Sequence, residues 1–149
     1  MKNRNLEHKD DWKTPKEFYD KLNEEFKFDF DPCPFQHNIE EWDGLKIEYK
    51  ERNFINPPYS RKLKEAFILK AIEESKKEKL CVMLLPVSTS TKIFHEHILP
   101  NKKEIRFIKG RLKFGGVNTK GEYVTNKPGM HDSMIVIFDG RTVIVESNY

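Results

Sequence analysis

In this 149-residue sequence, the segment whose residue types and spacing most directly suggest chemistry is Asn56-Pro57-Pro58-Tyr59. An exocyclic amine on a purine is a poor nucleophile, because its lone pair is delocalised into the ring. Two acceptors aimed at its N–H bonds, the Asn56 side-chain oxygen and the Pro57 carbonyl, would favour a tetrahedral nitrogen and release that lone pair. Prolines fix the backbone around these acceptors, and neither Pro57 nor Pro58 has an N–H to compete. Tyr59 offers a flat face for a base taken out of a duplex stack, an arrangement worth ~1–3 kcal/mol. Read alone, the same four residues also describe a strand-ending turn with a surface tyrosine.

The elements around this segment decide whether it can act. A short strand over Asn53–Asn56 stops at the two prolines, and Ser60 can cap a helix burying Leu63, Ala66, Phe67 and Ala71. The C-terminal end of a strand, just before a helix, is where open α/β sheets bind their ligands. Thr14-Pro15-Lys16-Glu17 reads as an earlier helix start, with Thr14 as N-cap, Pro15 at N1 and Glu17 closing a capping box. That helix carries Phe18, Tyr19, Leu22 and Phe26 on one face. Phe28–Asp31 alternates like a short strand, and Leu80–Leu85 is a continuous apolar run ended by Pro86, as expected of a strand buried on both faces. Ser90–Leu99 reads as a short helix stopped by Pro100, and Glu104–Lys109 as a strand. Residues 115–131, rich in Gly, Asn, Thr and Lys, read as a long loop, and 134–138 with 142–145 as a hairpin across Asp139-Gly140. Alternating strands and helices imply an α/β, three-layer αβα arrangement with a C-terminal β-hairpin.

Length predicts one domain over 1–149, with residues 1–10 flexible. Hydrophobic residues at 37% and charged residues at 34% exclude the disordered and membrane classes. No apolar run approaches ~18 residues and no signal peptide precedes the first element, so no membrane contact and a cytoplasmic location are expected. Cys33 and Cys81 then read as buried thiols, and neither has a second Cys or His at zinc-ligand spacing, so no metal is expected. Residues 1–50 carry nine Lys/Arg against thirteen Asp/Glu, whereas 51–149 carry eighteen against eleven. A basic second half suits a polyanion, although Lys-rich helices are also simply well solvated.

With these residues in place, the chain resembles the N6-adenine DNA methyltransferases, whose motif is (Asp/Asn/Ser)-Pro-Pro-(Tyr/Phe/Trp). The series Trp12-x-Thr14-Pro15, Asp29-Phe30-Asp31-Pro32-Cys33, Asp43-Gly44-Leu45, Asn56-Pro57-Pro58-Tyr59-Ser60 and Gly110-Arg111-Leu112-x-Phe114 is similar to the phage-type Dam family. That resemblance implies a reduced Rossmann-like fold, S-adenosyl-L-methionine (AdoMet) as methyl donor and double-stranded DNA with a flipped adenine as substrate. The Gly-rich turn of most AdoMet enzymes is absent, and Asp31-Pro32-Cys33-Pro34 resembles its acidic-Pro variant. Asp31 suits the cofactor's ammonium or sulfonium charge but is also an ordinary strand-end carboxylate. Thr14-Pro15, with Trp12 beside it, resembles the segment that holds the methionine carboxylate, and a capping box explains it equally. Asp43 resembles the residue that reads the cofactor's adenine, or is a turn Asp before Gly44. Only 21 residues separate Pro34 from Asn56, so a strand–helix unit of the cofactor side is shortened or missing.

For the nucleic-acid side, Ser60, Arg111, Lys113, Lys120 and Lys127 are candidates for phosphates and Phe114 for the second face of the flipped base. A plain surface excursion accounts for the 110–131 segment as well, and a core position accounts for Phe114. No residues remain for a separate target-recognition domain, which leaves specificity to this segment, a short site or a homodimer. The same tetrapeptide also serves enzymes acting on RNA adenine or protein glutamine, and the lost Gly-rich turn is compatible with a binding module that does not turn over.

Overall fold

The computed structural model describes residues 12–35, 43–117, 120, 122–128 and 131–142. The expectations for residues 1–10 and for the strand at 143–145 fall outside these. The described chain forms α1 (Lys16–Phe26), β1 (Arg52–Ile55), α2 (Arg61–Ser75) and β2 (Leu80–Pro86). A π-helical stretch, Ile93–Ile98, then runs into α3 (Leu99–Asn101), followed by β3 (Glu104–Phe107), β4 (Lys113–Val117), β5 (Tyr123–Pro128) and β6 (Ser133–Asp139).

The main sheet has the order β1-β2-β6-β3. Strands β1 and β2 are parallel, and β6 lies antiparallel between β2 and β3. Residues 28–30 extend the sheet beyond β1, through the parallel bridge Phe30–Asn53 and the bond from the Phe54 N–H to the Phe30 carbonyl (3.0 Å). Every residue of β2 is buried, as its unbroken apolar run requires. Alternate residues of the strands feed two clusters. Ile55, Met83 and Val136 face α2, where Phe67, Ile68, Ala71 and Ile72 cover them. Phe54, Val82 and Ile137 face the other way, against Leu22, Phe18 and Tyr19 of α1. Helices thus cover both faces of a mixed sheet.

Several local expectations are corrected. Both edges of β6 are occupied, by β2 and by β3, so the hairpin across Asp139-Gly140 has no free edge to form on. Lys113–Val117 and Tyr123–Pro128, largely expected as loop, form the antiparallel pair β4–β5 with a bulge between Phe114 and Gly116. Glycines usually weaken strands, but here they leave room for aromatic rings: a Cβ on Gly116 would run into the Trp12 indole, and one on Gly115 into the Tyr123 hydroxyl. Pro100 does not stop its helix, which continues to Asn101. A proline ring crowds the carbonyl four residues back, and the wider π-helical turn just before it relieves that crowding. Leu63 and Ala66 of α2 are only half-buried.

A buried carboxylate ties α2 to the sheet. Glu74 has no exposure and meets Lys77 (2.7 Å), Lys79 (3.1 Å), Lys70 (3.8 Å) and the Tyr49 N–H (2.6 Å). Burial pushes its carboxyl up, but these partners together outweigh burial and bring it down to about 2.

Candidate active site

The capping box expected at residues 14–17 is not formed. Pro15 is the N-cap of α1, its carbonyl accepts from the Tyr19 N–H (3.0 Å), and no side chain caps the helix. The Thr14 hydroxyl is used elsewhere. The Asn56 amide nitrogen donates to the Trp12 carbonyl at 2.7 Å and to Thr14 Oγ1 at 3.1 Å. A carbonyl can only accept, so the nitrogen of this amide must face Trp12 and its oxygen must point away. That oxygen, Asn56 Oδ1, is covered and accepts no hydrogen bond from the described residues. A buried amide oxygen without a donor is a standing vacancy for an N–H.

Asn56 forms part of the wall of a cavity of about 520 Å³ on the α1 side of the sheet. Trp12, Tyr19, Phe35 and Phe54 supply its apolar surface, and Thr14, Asp31 and Cys33 its polar one. The cavity thus gathers Trp12, Thr14, Asp31, Cys33 and Asn56 from segments far apart in sequence. Asp31 stands where residues 28–30 leave the sheet. Its Oδ1 accepts from the Cys33 N–H (2.9 Å), and burial pushes the carboxyl up to about 6 despite that bond. A carboxylate so short of compensation favours a bound cation. Pro32 is buried beneath, where its carbonyl approaches Gly44 too closely for any Cβ there. Asp43 does not line the cavity; it accepts from the Leu45 N–H (2.9 Å) and the Lys46 N–H, as a turn Asp does. Both cysteines are buried.

The corner itself is rigid. Pro57 and Pro58 are buried, Asn56, Tyr59 and Ser60 half-buried, and Ser60 precedes α2 without a side-chain cap bond. The sheet end, the oriented amide and the adjoining cavity form the setting that amino-group methylation needs. A family model described as DNA N-6-adenine-methyltransferase (Dam) matches residues 2–146, nearly the whole chain. The chain belongs to this family. It is therefore a DNA (adenine-N6)-methyltransferase, of a family whose chemistry implies AdoMet. No curated protein and no solved structure matches it.

Against the Dam-family expectation, the base-stacking pair is closed. Tyr59 and Phe114 meet edge to face, with ring centroids 5.9 Å apart and planes at 84°. Phe114 is 3% exposed and belongs to the core, so a base between the two rings requires them to part. The Tyr59 hydroxyl is buried without a hydrogen-bond partner among the described residues, and burial pushes its phenol up. On the nucleic-acid side, Arg111, Lys113 and Lys120 are exposed, and Arg111 lies 3.7 Å from Asp132. Lys127 sits in β5 opposite Phe114; its side chain lies outside the description. No helix among the described residues is long and apolar enough to cross a membrane.

Sequence reasoning missed six residues of this cavity: Lys13, Lys16, Tyr19, Asp20, Phe35 and Phe54. The two lysines flank Thr14-Pro15, and that spacing was the available signal. Also missed was an isolated antiparallel bridge between Lys13 and Gly115, with bonds of 2.6 and 3.0 Å, which ties the segment before α1 to β4.

Proposed function

We propose that the chain is a single-domain, reduced Rossmann-like methyltransferase that acts in the cytoplasm, binds AdoMet in the 520 Å³ cavity and methylates N6 of an adenine flipped out of double-stranded DNA. One observation carries the reading: Trp12 and Thr14 fix the Asn56 amide so that its unpartnered oxygen is left for an amine beside that cavity.

The cavity fits the group. Its size lies in the range of cofactor sites, its aromatic walls suit an adenosine and a sulfonium, and Asp31 is a desolvated carboxylate in want of a cation. AdoMet supplies a methyl carried on positively charged sulfur. Asp31 holds the positive end of the cofactor's methionine moiety, and Thr14 and Lys13 stand near enough to the same wall to receive its carboxylate. Asn56 Oδ1 and the Pro57 carbonyl accept the two N6–H bonds, which turns the nitrogen lone pair out of the ring plane. AdoMet bound in the cavity would supply the methyl for that lone pair, the N–C bond forming as the C–S pair returns to sulfur and a proton leaving the nitrogen. Tyr59 supports the base once Phe114 has moved aside. Two copies acting as a homodimer would enlarge the surface that reads the DNA.

Transfer of tritium from labelled AdoMet to duplex DNA, single-stranded DNA and RNA, followed by nucleoside analysis, tests this reading. The expected product is N6-methyladenine, most rapidly in duplex. Label in RNA alone, or none in any nucleic acid despite AdoMet binding, overturns it.

A further inference from the structure

A second cavity, of about 420 Å³, lies on the α2 side of the sheet, across from the cofactor cavity. Its floor is apolar, with Ile68, Leu85, Ile98 and Met134 from the α2-side core. Its rim is the opposite: Arg61, Lys64 and Lys92 carry charge, and Ser88, Ser90 and Thr91 carry hydroxyls. The one carboxylate lining it, Glu65, is held by Arg61 Nε at 3.1 Å. No described carboxylate pairs with Lys64 or Lys92, and no described acceptor takes the hydroxyls of Ser88 or Ser90. The Thr91 hydroxyl is spent on the Ser88 carbonyl (3.0 Å), which shapes the turn. His95 Nε2 holds the Thr89 carbonyl at 2.6 Å, so the hydroxyl segment is tied down. Lys64 is half-buried, and burial together with Arg61 pulls its amine below the usual range. Two ammonium groups and two hydroxyls thus line one hollow whose single described carboxylate, Glu65, is already engaged by Arg61.

Position says which anion. Arg61 and Lys64 begin the helix that starts two residues after Tyr59, and Pro86 ends the strand paired in parallel with β1. Neighbouring strands are ~4.8 Å apart, so the hollow is about one strand from the Asn56 corner. A phosphodiester there stays covalently within reach of a nucleotide whose base enters the corner. We infer that this cavity binds a backbone phosphate of the DNA next to the target nucleotide, through Lys64, Lys92, Ser88 and Ser90. The inference rests on DNA as the substrate, and it makes the 88–92 segment a clamp on the strand being methylated.

The test uses the full chain with Lys64→Gln and Lys92→Gln combined, and Lys76→Gln as the control. Lys76 lies ~18 Å away along α2 from Lys64 by helix rise. Binding of a fluorescent duplex is followed by anisotropy from 50 to 200 mM salt, without AdoMet. The double variant is expected to bind several-fold more weakly and to lower the slope of log affinity against log salt by about one, as for one lost phosphate contact. KM for duplex should rise while kcat and AdoMet affinity hold, and Lys76→Gln should leave the slope unchanged. An unchanged slope in a variant with wild-type thermal stability overturns the inference even if methylation proceeds. If the double variant fails to fold, Ser88→Ala with Ser90→Ala serves, with weaker duplex binding expected and unchanged binding refuting. Inorganic phosphate separates the sources: protection of Lys64 from amine modification by phosphate but not by duplex would assign the hollow to a free anion and overturn the DNA reading. Should methyl transfer fail altogether, the salt slope still reports on the phosphate site by itself.

Discussion

Replacing Asn56 by aspartate separates the two jobs of its amide. Aspartate keeps an oxygen for the substrate amine but cannot donate to the Trp12 carbonyl, which the amide nitrogen meets at 2.7 Å. The Thr14 hydroxyl can rotate and donate in its turn, so the 3.1 Å contact survives with its direction reversed. The Trp12 carbonyl cannot adapt, and it is left facing a carboxylate oxygen. Leaving one such group unsatisfied costs ~1–3 kcal/mol, or about 5- to 150-fold in rate if it is felt at the transition state. Thr14→Val removes only the weaker of the two contacts, a loss of about 1 kcal/mol and roughly fivefold. Asn56→Ala removes the acceptor itself, and a loss of about 10²-fold or more is expected. Single-turnover methyl transfer at saturating AdoMet and duplex should therefore rank wild type, Thr14→Val, Asn56→Asp and Asn56→Ala in falling order. Wild-type turnover by Asn56→Asp would show the donor side to be idle and refute the orientation reasoning.

Asp31 must be ionised to hold a cation, and its carboxyl titrates at about 6, so AdoMet affinity should fall toward tenfold per pH unit below that value and Asp31→Asn should flatten the profile by titration calorimetry. Because its folded-state value lies above the ordinary 3.8, ionised Asp31 destabilises the unliganded protein above pH 6. Asp31→Asn should accordingly raise the melting temperature at pH 7.5 and leave it unchanged near pH 3. Glu74, lowered from 4.5 to about 2, contributes stability that is full above pH 4.5 and is lost as pH falls toward 2; Glu74→Gln should cost ~1–3 kcal/mol in urea unfolding at pH 7, and that cost should shrink over this acid range. Gly116→Ala drives a Cβ into the Trp12 ring, so AdoMet affinity should drop by roughly tenfold or more while unfolding stability changes by about 1–3 kcal/mol; an unchanged affinity would mean that Trp12 has no part in the cavity.

The sequence was most legible where one physical cause dominates. The apolar run of β2 could only be a doubly buried strand, and the proline-locked corner could only end one, so both stand where their letters put them. The α1 face was readable from spacing, and Leu22 with Phe18, Tyr19 and Phe26 packs as one cluster. Legibility failed where a residue had two competing partners. Thr14 is a good N-cap by local rules, but a donor 42 positions away in sequence takes its oxygen. Pairing of β4 with β5 was hidden because Gly115 and Gly116 argue against a strand, and their reason, room for Tyr123 and Trp12, is tertiary. The hairpin at 139–140 had sound turn chemistry, yet edge occupancy is a property of the whole sheet, and β6 is inserted between two strands distant in sequence. For the site, the motif residues were readable one by one. Their relation through the Trp12 carbonyl was not, because a backbone acceptor leaves no mark in the letters.

The bridge between Lys13 and Gly115 gives this small enzyme a shared beam. Lys13 is bonded to the β4–β5 ribbon, while the neighbouring Trp12 carbonyl and Thr14 hydroxyl hold the Asn56 amide. A displacement of the ribbon would therefore bear on the Asn56 amide and on the wall of the neighbouring cavity as well.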